Sequence, residues 1–255
     1  MPNGIDSKLF FFNDHIPKDP LLVLCVARVE GLKNQQNLIK ALNNTHYKLV
    51  IIGAAAPNQS QYYNNSRKLA APNITFIDYL PQEELASYYQ KAKVHILPSW
   101  FETCGLSSLE AAAMGCNIVI TDKGYTREYF EDYAFYCDPA SPESIRRAID
   151  QAANAPYPDQ LGDKILNNYT WQQAAEKPLQ LINWYCKKMN LRIGILGTRG
   201  IPNNYGGFEY FAEHLSQGLV KRAMKYMFIA RIITPTSNRI GMAYIFYTAM
   251  IPSIY

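Results

Sequence analysis

The feature that most constrains this chain is a series of short, mainly apolar runs, the first of them unbroken. They are Leu21 to Ala27 (LLVLCVA), Tyr47 to Ile52 (YKLVII), Ile74 to Ile77, Val94 to Leu97, Ile118 to Ile120 and Ala134 to Cys137. A strand with one wet face alternates apolar and polar side chains, whereas an unbroken apolar run suits a strand of a parallel sheet covered on both faces by helices. Helical patterns separate the runs: an amphipathic segment with Leu38, Ile39 and Leu42 on one face, Asn58 to Ala71, and QEELASYYQKA after Pro81. Further helices are expected near Arg127 to Glu131, at Pro142 to Asn154 and at Trp171 to Lys188, the last kinked by Pro178, which removes a helical N–H and crowds the preceding turn. This alternation predicts an α/β fold with a doubly wound, Rossmann-like parallel sheet, whose ligands sit beyond the carboxyl ends of the strands. The loops carrying Arg28 with Lys33, Gly53, Glu102 and Gly124 all leave such ends and can converge.

The stretch from Pro98 to Gly124 carries the chemistry: a loop with Glu102, a turn at Gly105, a helix with Glu110, and an exit through Gly115 into Ile118, Val119 and Ile120. The two acids are eight residues apart. If all eight were helical, the acids would be separated by roughly 12 Å along the axis. That exceeds the spacing of about 5 Å in a retaining glycosidase pair and of up to about 9.5 Å in an inverting one. It suits two anchors on one extended ligand. Backbone N–H groups near Gly105, Leu106 and Ser107, free at the helix start, favour an anion between them. A sugar, a diphosphate and a ribose in line would match that order. On spacing alone, Glu102 and Glu110 read equally well as ordinary solvated acids.

A chain of 255 residues can bury a sizeable core and suggests one or two domains. Its net charge of +4 is unevenly placed: from His214 to Tyr255 there are five basic residues and no acid, so the rest is close to neutral. Nothing there suggests a nucleic-acid surface. The five cysteines (Cys25, Cys104, Cys116, Cys137 and Cys186) are scattered without a C-x-x-C pair, which favours reduced thiols in the cytoplasm. No secretion signal opens the chain, and the apolar stretch from Gly241 to Tyr255 is shorter than a membrane span and contains Pro252.

A nicotinamide oxidoreductase would need a glycine fingerprint after the first strand, and Arg28 stands there instead. The glycines at 197, 200, 206 and 207 do not have G-x-G-x-x-G spacing either. His15, His46, His95 and His214 have no ligand spacing, and His95, in a strand, reads as a satisfied core residue.

Taken together, the opening PNGID (Pro2 to Asp6), Arg28 and Lys33 in ARVEGLK, the E-x7-E of Glu102 and Glu110 in PSWFETCGLSSLE, GCNIVITDKG, Glu128 and the late Trp171 form an ordered set. With it, Pro2 to about Lys188 resembles the C-terminal, donor-binding domain of retaining GT-B glycosyltransferases of the family 4 type. The resemblance implies that Arg28 and Lys33 neutralise the departing donor diphosphate. It implies that Glu102 contacts the transferred sugar and Glu110 holds the ribose hydroxyls. Cys104, Gly105, Leu106 and Ser107 would offer backbone N–H groups to the phosphates, with Gly105 allowing close approach. Leu80 would contact the base or serve as core. No metal site is implied, since D-x-D is absent. The chain departs from the family pattern in having Asp78 and Asn34 where glycine is often found.

At Met189 the pattern restarts. Leu191 to Arg222 resembles the first strand, glycine-rich loop and first helix of the N-terminal, acceptor-binding domain of rhamnosyltransferase-like members of that family. The expected organisation is therefore a donor-binding domain over 1–188, a partial β-α unit over 189–222, and a weakly ordered tail over 223–255 without helical or strand period. A lone β-α unit cannot bury a core, and its position after the donor domain predicts a junction of two reading frames, shifted after about Arg222.

The implied function is retaining hexosyl transfer from a UDP- or GDP-linked sugar, a co-substrate with no cofactor, to a glycan or lipid-linked acceptor in cell-envelope polysaccharide synthesis. Peripheral membrane contact would come through an N-terminal domain that this chain lacks. Autonomous turnover is not expected without that domain. The alternative is a catalytically incomplete donor-binding module or remnant.

Overall fold

The computed structural model describes residues 3–186, 193–198, 211–212, 214–217, 226–232 and 241–245. The chain divides into two units, Ile5–Asn168 and a second made of Met1–Gly4 with Tyr169–Tyr255. In the first unit, β1 (Asp19–Val26), α1 (Gln35–Leu42), β2 (Lys48–Ile52), α2 (Ser60–Leu69) and β3 (Ile74–Ile77) build one half of a sheet. The other half is α3 (Gln82–Lys91), β4 (Ala92–Leu97), α4 (Leu106–Ala113), β5 (Asn117–Thr121), α5 (Thr126–Phe130) and β6 (Phe135–Cys137), followed by α6 (Pro142–Asn154) and α7 (Asp159–Asn168). The six strands are parallel in the order β3-β2-β1-β4-β5-β6, so the winding reverses between β1 and β4.

Consecutive strand residues are buried: Val23, Leu24 and Cys25 in β1, and Ile118, Val119 and Ile120 in β5, are all 0% exposed. Successive side chains point to opposite faces, so both faces are covered. The covering helices bury stripes of helical spacing, Leu38, Ile39 and Leu42 on α1 and Ile145, Ala148, Ile149 and Ala152 on α6. Each fully buried branched side chain contributes about 1.5–3 kcal/mol. Helix α6 starts where its sequence directs: Pro142 fits the first turn, and the Ser141 hydroxyl accepts the Ser144 N–H at 3.0 Å.

Helix α7 was not expected. Its sequence DQLGDKILNN buries only Leu161 and Ile165 and carries Gly162, a weak helix former. Gly162 leaves room for Tyr157, whose hydroxyl would lie 2.9 Å from a Cβ there.

In the second unit, α8 (Trp171–Cys186) continues through Pro178. The restarted strand is β7 (Ile193–Thr198), and residues 211–212 and 214–217 are helical. Within the segment expected to lack strand period, Tyr226–Ile232 (β8) and Gly241–Ile245 (β9) are strands. β8 pairs parallel to β7 and antiparallel to β9. YMFIARI and GMAYI contain aromatic and branched residues that favour strands, but Arg231 interrupts the first run and Gly241 opens the short second one, so neither stood out as an apolar run. The expected boundary at 188, and Gly200, Gly206 and Gly207, lie outside the described residues.

One cation braces the first unit from within. Lys18 Nζ donates to the carbonyls of Tyr89 (2.9 Å) and Met114 (2.6 Å), near the ends of α3 and α4, and sits 5.1 Å from the Phe12 ring centroid. Burial lowers its pKa, opposed by Cys116. Lys18→Met keeps the apolar stem but leaves both carbonyls without this donor. It is expected to cost about 2 kcal/mol in chemical denaturation; an unchanged midpoint would show that solvent serves the carbonyls equally well.

Candidate functional site

The loops beyond the sheet's carboxyl edge are fastened in register. After β1 and β2 the strands give way to paired loops: the Ala27 N–H donates to Ile52 O at 3.0 Å and the Val29 N–H to Ala54 O at 2.9 Å. The chain then makes a 3-10 turn, Gly31–Lys33, closed by the Asn34 N–H on Gly31 O at 3.2 Å. Asn34 has φ 58, a left-handed conformation, and is 4% exposed. Asparagine tolerates this conformation better than most residues. Its side-chain amide donates to Pro98 O at 3.0 Å and Pro139 O at 2.8 Å, tying the loop after β1 to those after β4 and β6. Sequence reading noted Asn34 only as a departure from glycine and missed this role, which exists only once the three loops meet.

The loop after β4 is clamped to that after β5. The Glu102 N–H donates to Lys123 O at 3.0 Å and its carbonyl accepts the Tyr125 N–H at 3.0 Å, making a bridge to Gly124. Gly124 has φ +109, and a Cβ there would lie 2.0 Å from Glu102 O. Thus held, Glu102 is 7% exposed. Oε2 lies 2.6 Å from Lys33 Nζ and accepts the Ser99 hydroxyl at 3.3 Å, while Oε1 accepts the Thr103 N–H at 3.2 Å. Lys33 and Glu102, expected from different strands, are brought together. Arg28 is not brought to them: its side chain is 66% exposed and pairs with Glu30 at 3.2 Å.

Gly105, with φ 71, precedes α4, and no side chain caps that helix. The N–H groups of Leu106 and Ser107 are therefore available to an anion, while that of Ser108 donates to Gly105 O at 2.8 Å. Cys104 and Gly105 are buried, while Leu106 and Ser107 are partly exposed. On the next turn Glu110 keeps part of its surface open, and its Oε2 accepts the Tyr89 hydroxyl at 3.0 Å. Burial pushes its carboxyl up to about 7, opposed by the Tyr89 hydrogen bond. Leu80 lies partly exposed in the loop after β3, and neighbouring Asp78 accepts a short hydrogen bond from the Tyr63 hydroxyl.

His95 was expected to be satisfied. It is fully buried with Nδ1 3.3 Å from the Ser108 hydroxyl, while Nε2 has no partner among the described residues, and burial holds its pKa down at about 3. Four exposed side chains rim the site: Leu32, Trp100, Phe101 and Tyr125. The Trp100 N–H donates to Leu32 O at 2.9 Å, and Phe101 meets Tyr125 edge-on at 6.3 Å. Among the described residues, no group of three or more His, Cys, Asp or Glu side chains could hold a metal ion, and no helix is long and apolar enough to cross a membrane.

A parallel six-stranded sheet with these loops at its switch point is the architecture of a GT-B glycosyltransferase domain, and solved structures share it. Sucrose-phosphate synthase from Thermosynechococcus elongatus matches with TM-score 0.64 at 22% identity, covering 74% of this chain and 52% of that one. HepE from Anabaena, in complex with UDP, matches with TM-score 0.61 at 15% identity, covering 73% and 56%. The chain belongs to the glycosyl transferases group 1 family, whose model matches residues 6–168. It is 28% identical over 179 residues to the D-inositol 3-phosphate glycosyltransferase of Corynebacterium diphtheriae, covering 64% of this chain and 42% of that protein. It is 27% identical over 192 residues to the glycogen synthase of Mycobacterium tuberculosis, covering 70% and 46%. The chain thus spans less than half the length of these curated relatives.

Gly124→Ala places a methyl group inside the Glu102 carbonyl contact and in a left-handed backbone. It is expected to lower stability by about 2–3 kcal/mol or more, read by chemical denaturation, and to release Glu102 from Lys33. Wild-type stability in this variant would contradict the clamp.

Proposed function

We propose that this protein binds a nucleotide-sugar and serves retaining transfer of its hexose to a glycan or lipid-linked acceptor, in cell-envelope polysaccharide synthesis. The observation that carries the reading is the Lys33–Glu102 pair at the point where strand order reverses, 2.6 Å apart, with the uncapped start of α4 in the loop segment that follows Glu102. Crevices at such reversals are where doubly wound sheets take ligands.

In this reading the donor diphosphate lies against the first turn of α4 and draws Lys33 from Glu102. Lys33 then neutralises the charge that grows on the leaving diphosphate, with Arg28 adding charge from the exposed loop after β1. Glu102, relieved of its partner, accepts a hydroxyl of the sugar. Glu110, further along α4, accepts the ribose hydroxyls. The N–H groups of Cys104, Gly105, Leu106 and Ser107 serve the phosphates, and Leu80 borders the base. Uracil or guanine is the proposed base; HepE, of the same fold, is described in complex with UDP and with UDP-glucose. Cys25, Cys104, Cys116 and Cys137 are buried and in no disulfide among the described residues, which supports a reducing cytoplasm.

A second reading keeps the donor site but separates it from turnover. The matched segment corresponds to less than half of each curated relative, and none of the site residues above is assigned to an acceptor. The protein is then a donor-binding module whose acceptor is presented by residues outside that segment.

Calorimetry is expected to show UDP or GDP binding that weakens about tenfold or more in Lys33→Ala and in Glu110→Ala, since each removes a charge-assisted contact. No affinity for any nucleoside diphosphate would overturn the reading. Sugar transfer by the purified chain alone would select the first reading over the second, and binding without transfer the second over the first.

A further inference from the structure

Tyr89 takes part in none of the roles above, yet it is the largest fully buried side chain near the site, 0% exposed in α3. A buried phenol needs a hydrogen-bond partner, and the partner here is Glu110 Oε2 at 3.0 Å. Two rings set its position edge-on: Phe10 at 5.9 Å and His95 at 5.8 Å. His95 in turn meets the Ser108 hydroxyl at 3.3 Å, on the helix that carries Glu110. The ring is therefore registered to α4 twice, once through its hydroxyl and once through His95. Glu110 Oε1, by contrast, accepts no hydrogen bond among the described residues, and the side chain keeps part of its surface open.

We propose that Tyr89 is a positioning residue for the nucleoside ribose: its hydroxyl holds one oxygen of Glu110 from the interior and presents the other to the ribose diol. This rests on the reading of Glu110 as the ribose anchor. A diol offers two O–H donors, and an ionised carboxylate accepts both more readily than the protonated acid, which has one oxygen occupied by its proton. Burial favours the protonated acid, and the Tyr89 O–H opposes burial by donating to the carboxylate. Tyr89 thereby keeps the anchor aimed and lowers the pH at which it ionises.

Few other groups bear on the pair; the nearest cation is Lys18 of the N-terminal loop, which donates to the Tyr89 carbonyl at 2.9 Å and so faces the backbone of Tyr89. On β4, His95 is neutral with its pKa at about 3, and Lys93 donates to Ala155 O at 2.7 Å. Beside Tyr89, the thiols of Cys25 and Cys116 are pushed up by burial to about 12 and about 11, so both are uncharged. β5 carries no titratable side chain, and on α7 Asp159 and Asp163 bear on Tyr157 rather than Glu110.

Tyr89→Phe keeps the ring in its edge-on contacts and removes the hydroxyl alone. The test measures binding of UDP and of 2′,3′-dideoxy-UDP to the full chain across pH, together with isotope-edited NMR titration of the Glu110 carboxyl in the free protein. In Tyr89→Phe the carboxyl midpoint is expected to move up by about one pH unit, making UDP binding about fivefold weaker near pH 7 and nearly unchanged near pH 9. The dideoxy nucleotide should bind both proteins alike. Glu110→Gln, which cannot ionise, should bind UDP weakly with no such pH dependence.

Equal weakening of both nucleotides at every pH would make Tyr89 a packing residue and overturn the proposal, as would an unmoved carboxyl midpoint. If the wild type binds no nucleoside diphosphate, the functional reading fails and the ribose role with it, while the titration still decides whether Tyr89 governs Glu110.

Discussion

The ion pair between Lys33 and Glu102 joins residues 69 positions apart, and it forms because β1 and β4 are neighbours at the reversal of the strand order. Neither residue could find the other in a simple sequential sheet. The surrounding bonds secure the same encounter: Asn34 fixes the turn behind Lys33 to the loops after β4 and β6, and the bridge to Gly124 fixes the backbone of Glu102. Burial of two charges is favourable only when geometry and further hydrogen bonds compensate for lost hydration. Glu102 meets that condition with Ser99 and the Thr103 N–H.

Much of this frame was legible because its physics is local. An apolar run of three to seven residues between helical patterns reads as a doubly covered strand, and the six runs became six parallel strands. Glu102, Lys33 and the start of α4 could be named because loop position follows from strand order. Arg28 shows the limit of that reasoning, for the same loop that delivers Lys33 leaves Arg28 exposed beside Glu30. Helix α7 escaped notice because two apolar anchors and a glycine give too weak a period. β8 and β9 escaped because an arginine interrupts the first run and a glycine opens the short second one.

Asn34 and Tyr89 were illegible for a deeper reason. A left-handed asparagine and a helical tyrosine are ordinary in sequence, and each acquires its task only from partners more than twenty positions away. The network from Phe10 through Tyr89 to His95, Ser108 and Glu110 draws on the N-terminal loop, α3, β4 and α4. It is a property of the packed domain and of no motif.

Glu110 carries one further implication. Burial pushes its carboxyl from the ordinary 4.5 up to about 7, so the folded chain binds this proton more tightly than the unfolded one. By linkage the group costs nothing in acid, and stability is lost as pH rises from the lower value through the higher. At neutral pH the empty protein bears that cost, and a ligand that welcomes the charge relieves it. An amide or an apolar residue in this place would free folding from that pH dependence and would take the titrating oxygen pair away with it.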